Sequence, residues 1–376
     1  MASNVAFEEA VGDLSFSLYN AVEKSGNEFI SPYSITSALM LLMLGTDGTT
    51  YKQMRSSLFK QNIESDVNIG YKLLNDKLSS LTGNGVELSI GNRLFGDNRL
   101  NVLNTFTANA LQYYGSDLKR LNFRSAPDES RININNWIAN ATKDKIKDMF
   151  PPETITSGTL MVLANAIYFK GTWKREFNPH NTTKRNFLDN SNQQKQVDMM
   201  YDQRYVVAGE NTELDCKILQ LQYTGNTSSI ILLLPNDANG LSQLESKITM
   251  TKFKSLFSGI WRRDTIIRIP KFAFEAKYDL KPILTSLGIN EIFDSQTANF
   301  AKMTTMKQVF VTDARHKSYI EVTEQGTEAA AASTIEIGFG SSMSGPFQFV
   351  ADHPFMFVIR DNNSGTILFV GRYANP

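Results

Sequence analysis

The side chains that most often carry catalysis or bind metals are scarce in this sequence. The 376 residues include one cysteine, Cys216, and three histidines, His180, His316 and His353. A single cysteine excludes an internal disulfide and any multi-cysteine zinc or iron–sulfur site, and three histidines leave little room for a histidine-based metal centre. We therefore expect neither a metal nor a cofactor.

No established catalytic motif holds in this sequence. It lacks HExxH, a Walker-A loop and GxSxG. The segment GFGSSMSG (338–345) resembles a glycine-rich phosphate loop, but it lacks the third glycine spacing and does not lead from a strand into a helix. His316 and His353 could act as general bases, yet no nucleophile stands in a motif beside them. The sequence predicts that the chain is not an enzyme.

The charge balance argues against two classes of partner. Lys and Arg total 38 and Asp and Glu total 38, with a sequence pI of about 6.9. A nucleic-acid-binding protein is expected to carry a basic excess, and so is a protein drawn to anionic membranes. The longest early apolar run, residues 38–44, is too short to cross a bilayer. We expect no nucleic-acid and no membrane partner.

The N-terminal segment does not have the pattern of a secretory signal peptide. No Lys or Arg precedes Lys24, and Glu8, Glu9 and Asp13 interrupt any apolar run. This predicts a cytoplasmic protein. Extracellular export stays open because four asparagines stand in N-x-S/T glycosylation sequons: Asn140, Asn181, Asn226 and Asn362.

The elements that would position functional side chains change character along the chain. Helical spacing comes first, in Phe7, Val11, Leu14, Leu18 and Val22. Ser31-Pro32 predicts a capped helix through Met43, and further helices are predicted near 51–59, 65–81, 105–114 and 130–149. After about residue 160, β-rich runs dominate and end in a hairpin, 355–360 and 366–372, whose arms are apolar on both faces. No linker or repeat interrupts the chain, so we expect one α+β domain over residues 1–376.

Residues 321–345, EVTEQGTEAAAASTIEIGFGSSMSG, combine a strand pattern with a composition that disfavours strands. Alternate residues fall into two sets by parity, as the residues of a strand do. One set has small or apolar side chains: Thr327, Ala329, Ala331, Ser333, Ile335 and Ile337. The other set is partly acidic: Glu328, Thr334 and Glu336. Ala and Gly are poor strand formers, and the Gly- and Ser-rich end suits a mobile loop. A flexible alanine-rich linker or a short helix would have the same composition. We infer a conditional strand that can slide between existing strands.

Several long blocks occur in an order that is specific to one family. They are NEFISPYSITSALMLLMLGTDGTT (27–50), LANAIYFKGTW (163–173), VDMM (197–200), IPKFAFEAKYDLKPILTSLGI (269–289), HKSYIEVTEQGTEAAAAS (316–333) and ADHPFMFVIRDNNSGTILFVGR (351–372). Over essentially its whole length the chain resembles the serpins, and in particular the intracellular, ovalbumin-like members that lack a signal peptide.

The resemblance implies a fold and an activity. The fold is a single domain of three β-sheets and about nine helices, with an exposed reactive-centre loop at about 324–346. The activity is irreversible suicide-substrate inhibition of endopeptidases. A target protease forms a covalent acyl-enzyme with the loop, which then inserts into the central sheet of a metastable fold and distorts the protease active site. The alternative is a non-inhibitory serpin that acts as a carrier, storage or chaperone protein.

The resemblance also assigns site residues. The loop hinge comprises Glu324, Gly326, Thr327, Glu328, Ala329, Ala330, Ala331 and Ala332. A polar cluster beneath the central sheet, where its strands part, comprises Ser31, Ser34, Asn165 and His316. Insertion begins at Trp173, Lys271 and Glu324. An ordinary buried polar contact or core aromatic residue would also account for each of the last two groups. Gly326 would be the pivot of the hinge, and no proline follows it until Pro346.

The position of the scissile bond stays open between Phe339 and Met343. The family spacing from the hinge places the bond after Gly340, whereas counting back from ADHPF gives positions near Met343. The string GFGSS resembles the loop of intracellular members that inhibit papain-like cysteine proteases, which favours the Ser341–Ser342 bond.

Each position of the bond implies a different target. Cleavage after Phe339 or Met343 suits a chymotrypsin- or elastase-like protease. Cleavage after Gly340 suits a papain-like protease, because Phe339 then lies one residue upstream. No Lys or Arg lies between Glu324 and Arg360, which excludes trypsin-, thrombin- and plasmin-like targets. The protein is expected to be a monomer. Heparin binding is not expected, because the relevant helix has only the scattered Lys72 and Lys77.

Overall fold

The computed structural model describes residues 2–59, 66–79, 85–327 and 345–376. In these ranges the chain forms nine α-helices: α1 (Ala2–Ala21), α2 (Pro32–Leu44), α3 (Gly48–Leu58), α4 (Val67–Ser79), α5 (Asn104–Tyr114), α6 (Pro127–Ala141), α7 (Leu241–Lys247), α8 (Met250–Ser255) and α9 (Leu280–Ser286). None of these helices is both long and apolar enough to span a membrane.

The same ranges contain fifteen strands, most of them in the second half of the chain. They are β1 (Glu28–Ile30), β2 (Val86–Asp97), β3 (Leu118–Leu121), β4 (Met161–Thr172), β5 (Thr183–Leu188), β6 (Gln194–Asn211), β7 (Cys216–Gln222), β8 (Ser228–Pro235), β9 (Trp261–Pro270), β10 (Phe272–Asp279), β11 (Asp313–Val322), β12 (Gly326–Thr327), β13 (Phe347–Val350), β14 (Phe355–Asp361) and β15 (Ile367–Tyr373). The predicted α+β class is confirmed.

Helix α2 begins where the sequence predicts. The Ser31 hydroxyl accepts a hydrogen bond from the Ser34 backbone N–H at 3.2 Å, and Pro32 occupies the first helical position. Every residue from Pro32 to Met43 is buried, so α2 packs in the core rather than on the surface. Helix α2 packs against β2, β4 and β15, so it lies between the sheets.

Helix α6 is shorter than the predicted helix at 130–149. It ends at Ala141, after which Lys143, Asp144 and Asp148 have φ angles of 51°, 62° and 51°. These left-handed conformations are incompatible with a continuing right-handed helix. The Thr142 hydroxyl donates to the Ile138 carbonyl at 2.8 Å and accepts from the Ile146 N–H, which stabilises the irregular turn.

A six-stranded sheet has the order β10-β11-β4-β2-β3, with β12 added on β4. Strand β4 is buried throughout from Met161 to Phe169 and lies at the centre. Its pairing with β11 is parallel, whereas its pairing with β2 is antiparallel. Because β4 is covered on both faces, any strand that enters beside it must also be compatible with burial.

The remaining nine strands form a second sheet, ordered β1-β15-β14-β8-β7-β6-β9-β13 with β5 on β6. The long strand β6 connects two groups of strands in this sheet. It pairs with β7, which leads on to β8, β14, β15 and β1, and it pairs with β5 and β9, the latter next to β13. Together with the six-stranded sheet, these make the three strand groups of the expected fold. The hairpin β14–β15 is buried on both faces, as predicted.

Candidate functional site

The predicted loop hinge begins with a tight reversal immediately after β11. The N–H of Thr323 donates to the carbonyl of Gly326 at 2.7 Å, and the N–H of Gly326 donates to the carbonyl of Thr323 at 3.1 Å. On its other side Gly326 pairs antiparallel with Thr172, and Thr327 pairs with Gly171, both on β4. The two residues of β12 thus occupy a strand position beside the end of β4.

Gly326 can be replaced by no other residue without distortion. Its φ is +124°, a region that L side chains rarely adopt. A Cβ atom on it would lie 2.7 Å from the Trp173 nitrogen and 2.8 Å from the Thr172 Cα, which are backbone atoms that cannot move aside cheaply. The structure therefore gives the predicted pivot a steric as well as a conformational requirement for glycine.

Trp173, which follows β4, forms two hydrogen bonds to the turn. Its indole Nε1–H donates to the Thr323 carbonyl at 2.9 Å, and its backbone N–H donates to the Gln325 carbonyl at 3.0 Å. The indole ring stacks on Tyr223 with ring centroids 4.8 Å apart. Trp173 is therefore both a core aromatic residue and a direct hydrogen-bond partner of the turn.

Glu324 lies buried at the tip of the turn with its charge compensated. Lys271 Nζ lies 2.8 Å from one carboxylate oxygen, and the Thr182 hydroxyl donates to the other at 2.7 Å. Burial alone would raise the pKa of Glu324, but the hydrogen bonds from Lys271 and Thr182 hold it below its usual value. Glu324 is thus an anion under ordinary conditions, and the expected insertion-start residues Trp173, Lys271 and Glu324 meet around one turn.

The predicted polar cluster also comes together, further down the sheet. Register pairs His316 of β11 with Asn165 of β4, and the His316 Nδ1 bonds to the Asn165 side-chain oxygen. The Asn165 amide donates to the carbonyl and the hydroxyl of Ser34, each at 2.8 Å. Ser31 completes the cluster, because its N–H donates to His316 Nε2 at 3.1 Å. The cluster ties both strands to the N-terminus of α2.

His316 is held neutral in one tautomer. Nε2 accepts from the Ser31 backbone, so the proton resides on Nδ1 and is donated to Asn165. Complete burial lowers the pKa of His316 to about 3. The Tyr278 ring lies parallel to the imidazole at 6.1 Å. Protonation of Nε2 would remove its acceptor capacity and place a charge in the core.

Two members of these sites were not anticipated from the sequence. Asn92 of β2 stands opposite Asn165, accepts from the Ser34 hydroxyl at 3.1 Å and donates to the Ser34 carbonyl at 3.2 Å. Thr182 is the second partner of Glu324. Asn92 stands among both polar and apolar residues of β2, such as Ser89, Arg93 and Leu94, so its residue type gave no local signal.

The residues considered for catalysis make structural contacts. His353 Nδ1 lies 2.8 Å from the Asp352 carboxylate, and Nε2 lies 2.9 Å from the Pro235 carbonyl. Burial raises the pKa of the Cys216 thiol to about 12, so the thiolate that nucleophilic chemistry requires is not formed near neutral pH.

Part of the predicted site lies outside the described residues. This applies to the later hinge positions Glu328, Ala329, Ala330, Ala331 and Ala332, and to the scissile-bond candidates Phe339, Gly340, Ser341, Ser342 and Met343.

Comparisons with known proteins agree with this arrangement. The family model described as serpin (serine protease inhibitor) matches residues 9–376. Leukocyte elastase inhibitor from Xenopus laevis is 36% identical over 366 residues, 96% of each chain, and Serpin B9 from Homo sapiens is 36% identical over 354 residues, 94% of each chain. The crystal structure of uncleaved ovalbumin matches with a TM-score of 0.89 at 28% identity, covering 98% of this chain and 100% of that one. The chain belongs to the serpin family of serine protease inhibitors.

Proposed function

We propose that this protein is an irreversible suicide-substrate inhibitor of endopeptidases that traps its target by inserting the cleaved loop into the six-stranded sheet. One observation carries the proposal. Gly326 and Thr327 already pair antiparallel with Thr172 and Gly171, at the end of β4 that lies beside the end of β11. The loop therefore starts in the position and direction that insertion requires.

The pairing of β4 with β11 explains why a strand can enter there. The two strands are parallel neighbours over seven residue pairs, from Asp313–Val162 to Tyr319–Tyr168. A strand antiparallel to both could separate them and form antiparallel ladders on each side. Antiparallel pairing is slightly more stable per residue than the parallel pairing it replaces. Insertion thus adds one complete ladder to the sheet.

Continuing the register of β12 assigns each loop residue a place in the inserted strand. Glu328 comes opposite Lys170, Ala331 opposite Ile167 and Ser333 opposite Asn165. In the inserted strand, residues of the Thr327 parity would face the main core beside Ile167 and Phe169. Residues of the other parity would lie beneath α6. Both faces are already filled, which explains a loop built largely of alanine, serine and threonine.

The polar cluster would open during this step. Insertion separates His316 from Asn165, and unpaired buried polar groups cost about 1–3 kcal/mol each. Ser333, arriving opposite Asn165, supplies a hydroxyl that can replace part of the lost bonding. The cluster therefore holds the uncleaved sheet closed and accepts a new polar partner once the loop has entered.

The chemistry of trapping belongs to the target. The nucleophile of the protease attacks the scissile carbonyl and expels the amine of the next residue, leaving the hinge side of the loop esterified or thioesterified to the enzyme. The released chain stays held by β13, which pairs with β9. Insertion then moves the acyl-enzyme before water can hydrolyse it.

The target we propose is a chymotrypsin- or elastase-like serine protease or a papain-like cysteine protease. The candidate bonds from Phe339 to Met343 offer aromatic, small and thioether side chains, and none is basic. The name of the Xenopus laevis relative, leukocyte elastase inhibitor, agrees with the first class.

The test is incubation with chymotrypsin, elastase, trypsin and a cathepsin-L-type protease. We expect an SDS-stable complex with at least one of the first, second or fourth proteases and none with trypsin. Mass spectrometry of the released C-terminal peptide identifies the bond. Cleavage by every protease without any stable complex would contradict the proposal and favour a non-inhibitory serpin.

A further inference from the structure

A cavity of about 430 Å³ lies on the nine-stranded sheet, next to the segment that follows Trp173. Its walls come from β6, β7 and β9, from Lys174 and Arg175 after β4, and from the region where β14 ends. This volume lies in the range of small-molecule binding sites. Neither the hinge nor the polar cluster contributes a residue to it, so it is not part of the inhibitory site.

Strand register gathers the cavity side chains on one face of the sheet. Arg360, Ser229 and Gln222 lie side by side on β14, β8 and β7. The next row places Gln220 beside Val207, and Val207 beside Arg262, on β7, β6 and β9. Directly paired residues point to the same face, and Gln220 and Gln222 share a face because they are two residues apart.

The cavity is strongly basic. Five of its lining residues are cations: Lys174, Arg175, Arg204, Arg262 and Arg360. None of the cavity-lining residues in the described ranges is acidic. Asp202, outside the lining, lies 3.4 Å from both Arg175 and Arg204 and can compensate only part of this charge. The cavity therefore concentrates positive charge in a partly enclosed space.

Arg204 is buried and Arg360 is half-buried, and each has one buried donor, Nε–H, without a protein partner. The Nε–H groups of Arg204 and Arg360 are buried and form no hydrogen bond, and Arg204 is only 7% exposed. Burial lowers the pKa of Arg204 to about 10 despite the opposing effect of Asp202, and Arg175 lowers it further. Burial also lowers the pKa of Arg360. An anion in the cavity would relieve both deficits.

The rest of the lining is apolar or already satisfied. Val207 and Tyr205, which share the face of Gln220 on the sheet, supply apolar surface. The Asn362 amide donates to the Gln222 side-chain oxygen at 2.7 Å and accepts from the Ser229 hydroxyl at 2.7 Å. These amides are engaged with each other, whereas the Nε–H groups of Arg204 and Arg360 form no hydrogen bond.

We propose that this cavity binds a small organic anion, a carboxylate or sulfonate carried on a flat apolar body. The guanidinium groups recognise the oxyanion, for which their paired N–H donors are well suited. The surface of Val207 and Tyr205 takes the apolar body. An inorganic anion alone would leave that apolar surface unused, and an uncharged analogue would leave the buried arginine donors unpaired.

Binding is measured by isothermal titration calorimetry on the full chain with 2-naphthoate as the probe. Uncharged 2-naphthol tests whether the negative charge is needed, and sodium sulfate, at matched ionic strength, tests whether the apolar body is needed. We expect 2-naphthoate to bind at least about tenfold more tightly than either, the effect of one charge-assisted hydrogen bond. No binding of 2-naphthoate, or equal binding of either control compound, overturns the proposal.

A matched pair of variants locates the site. Arg262→Gln removes an exposed cation of the cavity, so it leaves the fold intact, and it should weaken 2-naphthoate about tenfold. Arg263→Gln changes the next residue, which lies over Phe347 outside the cavity, and should change the affinity less than about twofold. Equal effects of the two variants, with unchanged circular dichroism and melting, would mean that the anion binds elsewhere.

Discussion

Gly326 is hydrogen-bonded to Thr323 on one side and paired antiparallel with Thr172 on the other. A single residue thus connects the end of β11 with the end of β4, the two strands between which the loop is proposed to enter. The contacts of Trp173 and Glu324 hold the same turn from the two flanks. The described part of the hinge, up to Thr327, is therefore the start of a strand.

Replacing Gly326 with alanine should impair trapping. The positive φ costs about 1–2 kcal/mol for an L residue, and the new methyl group would also collide with the backbone of Trp173 and Thr172. We expect insertion to slow about tenfold or more, so that more inhibitor is cleaved per complex formed. Gly345→Ala, at the other end of the loop, has open space around its Cβ and should leave the stoichiometry of inhibition unchanged.

Thr327→Arg should convert the inhibitor into a substrate. Thr327 pairs with Gly171, and the proposed strand would carry its side chain into the core between the sheets, where an unpaired charge costs several kcal/mol. Gel electrophoresis after mixing with the target protease should show cleaved chain without complex. Gln348→Arg, on the exposed side of β13, is the control that should still form complex. Undiminished trapping by Thr327→Arg contradicts the insertion register.

Acidification should loosen the sheet through His316. Its pKa is about 3 in the folded chain and about 6.5 when unfolded, so the unfolded state binds more protons between these values. Stability is therefore complete above pH 6.5 and falls as pH decreases toward 3. We expect a loss of about 2 kcal/mol between pH 7 and pH 5, measured from urea-induced unfolding.

His316→Gln isolates that contribution, because glutamine keeps a donor and an acceptor but does not titrate. Carboxylates elsewhere titrate in both proteins, so the difference between the two pH profiles reports His316. If the variant and the parent chain lose the same stability on acidification, the buried neutral imidazole is not the source of the effect.

The ion pair at the turn should matter more than one on the surface. Lys271→Met leaves the buried Glu324 carboxylate without its cation, and we expect a loss of about 1–2 kcal/mol in unfolding free energy. Lys184→Met removes the partner of Asp198 from an exposed pair, where about 0.5 kcal/mol or less is expected. Equal losses would show that Glu324 is not effectively buried.

The parts of the fold that depend on local signals were accessible from the sequence. The Ser31 cap with Pro32 located the start of α2, and the doubly apolar arms located β14 and β15. The end of α6 was not accessible. Lys143 and Asp144 adopt left-handed conformations in a tertiary setting that no local pattern marks, because helix propensity alone favours continuation.

In the candidate site, too, local signals and long-range contacts differ in how far the sequence reveals them. Gly326, Asn165 and His316 were all identified through the family resemblance, and the alternation read directly from the loop sequence stays a prediction because residues 328–344 lie outside the described ranges. Asn92 was missed because its contact depends on the register between β2 and β4, 73 residues apart in the chain. Long-range register is set by the packing of whole strands and not by neighbouring residues.

The central claim, that the cleaved loop becomes a strand between β4 and β11, is tested most directly by thermal melting before and after cleavage of the loop. Each kcal/mol of added stability raises the melting temperature of a chain of this size by about 2 °C. A full strand with buried faces should therefore raise it by about 10 °C or more. An unchanged melting temperature, with the loop shown by mass spectrometry to be cut between Phe339 and Met343, would contradict the account.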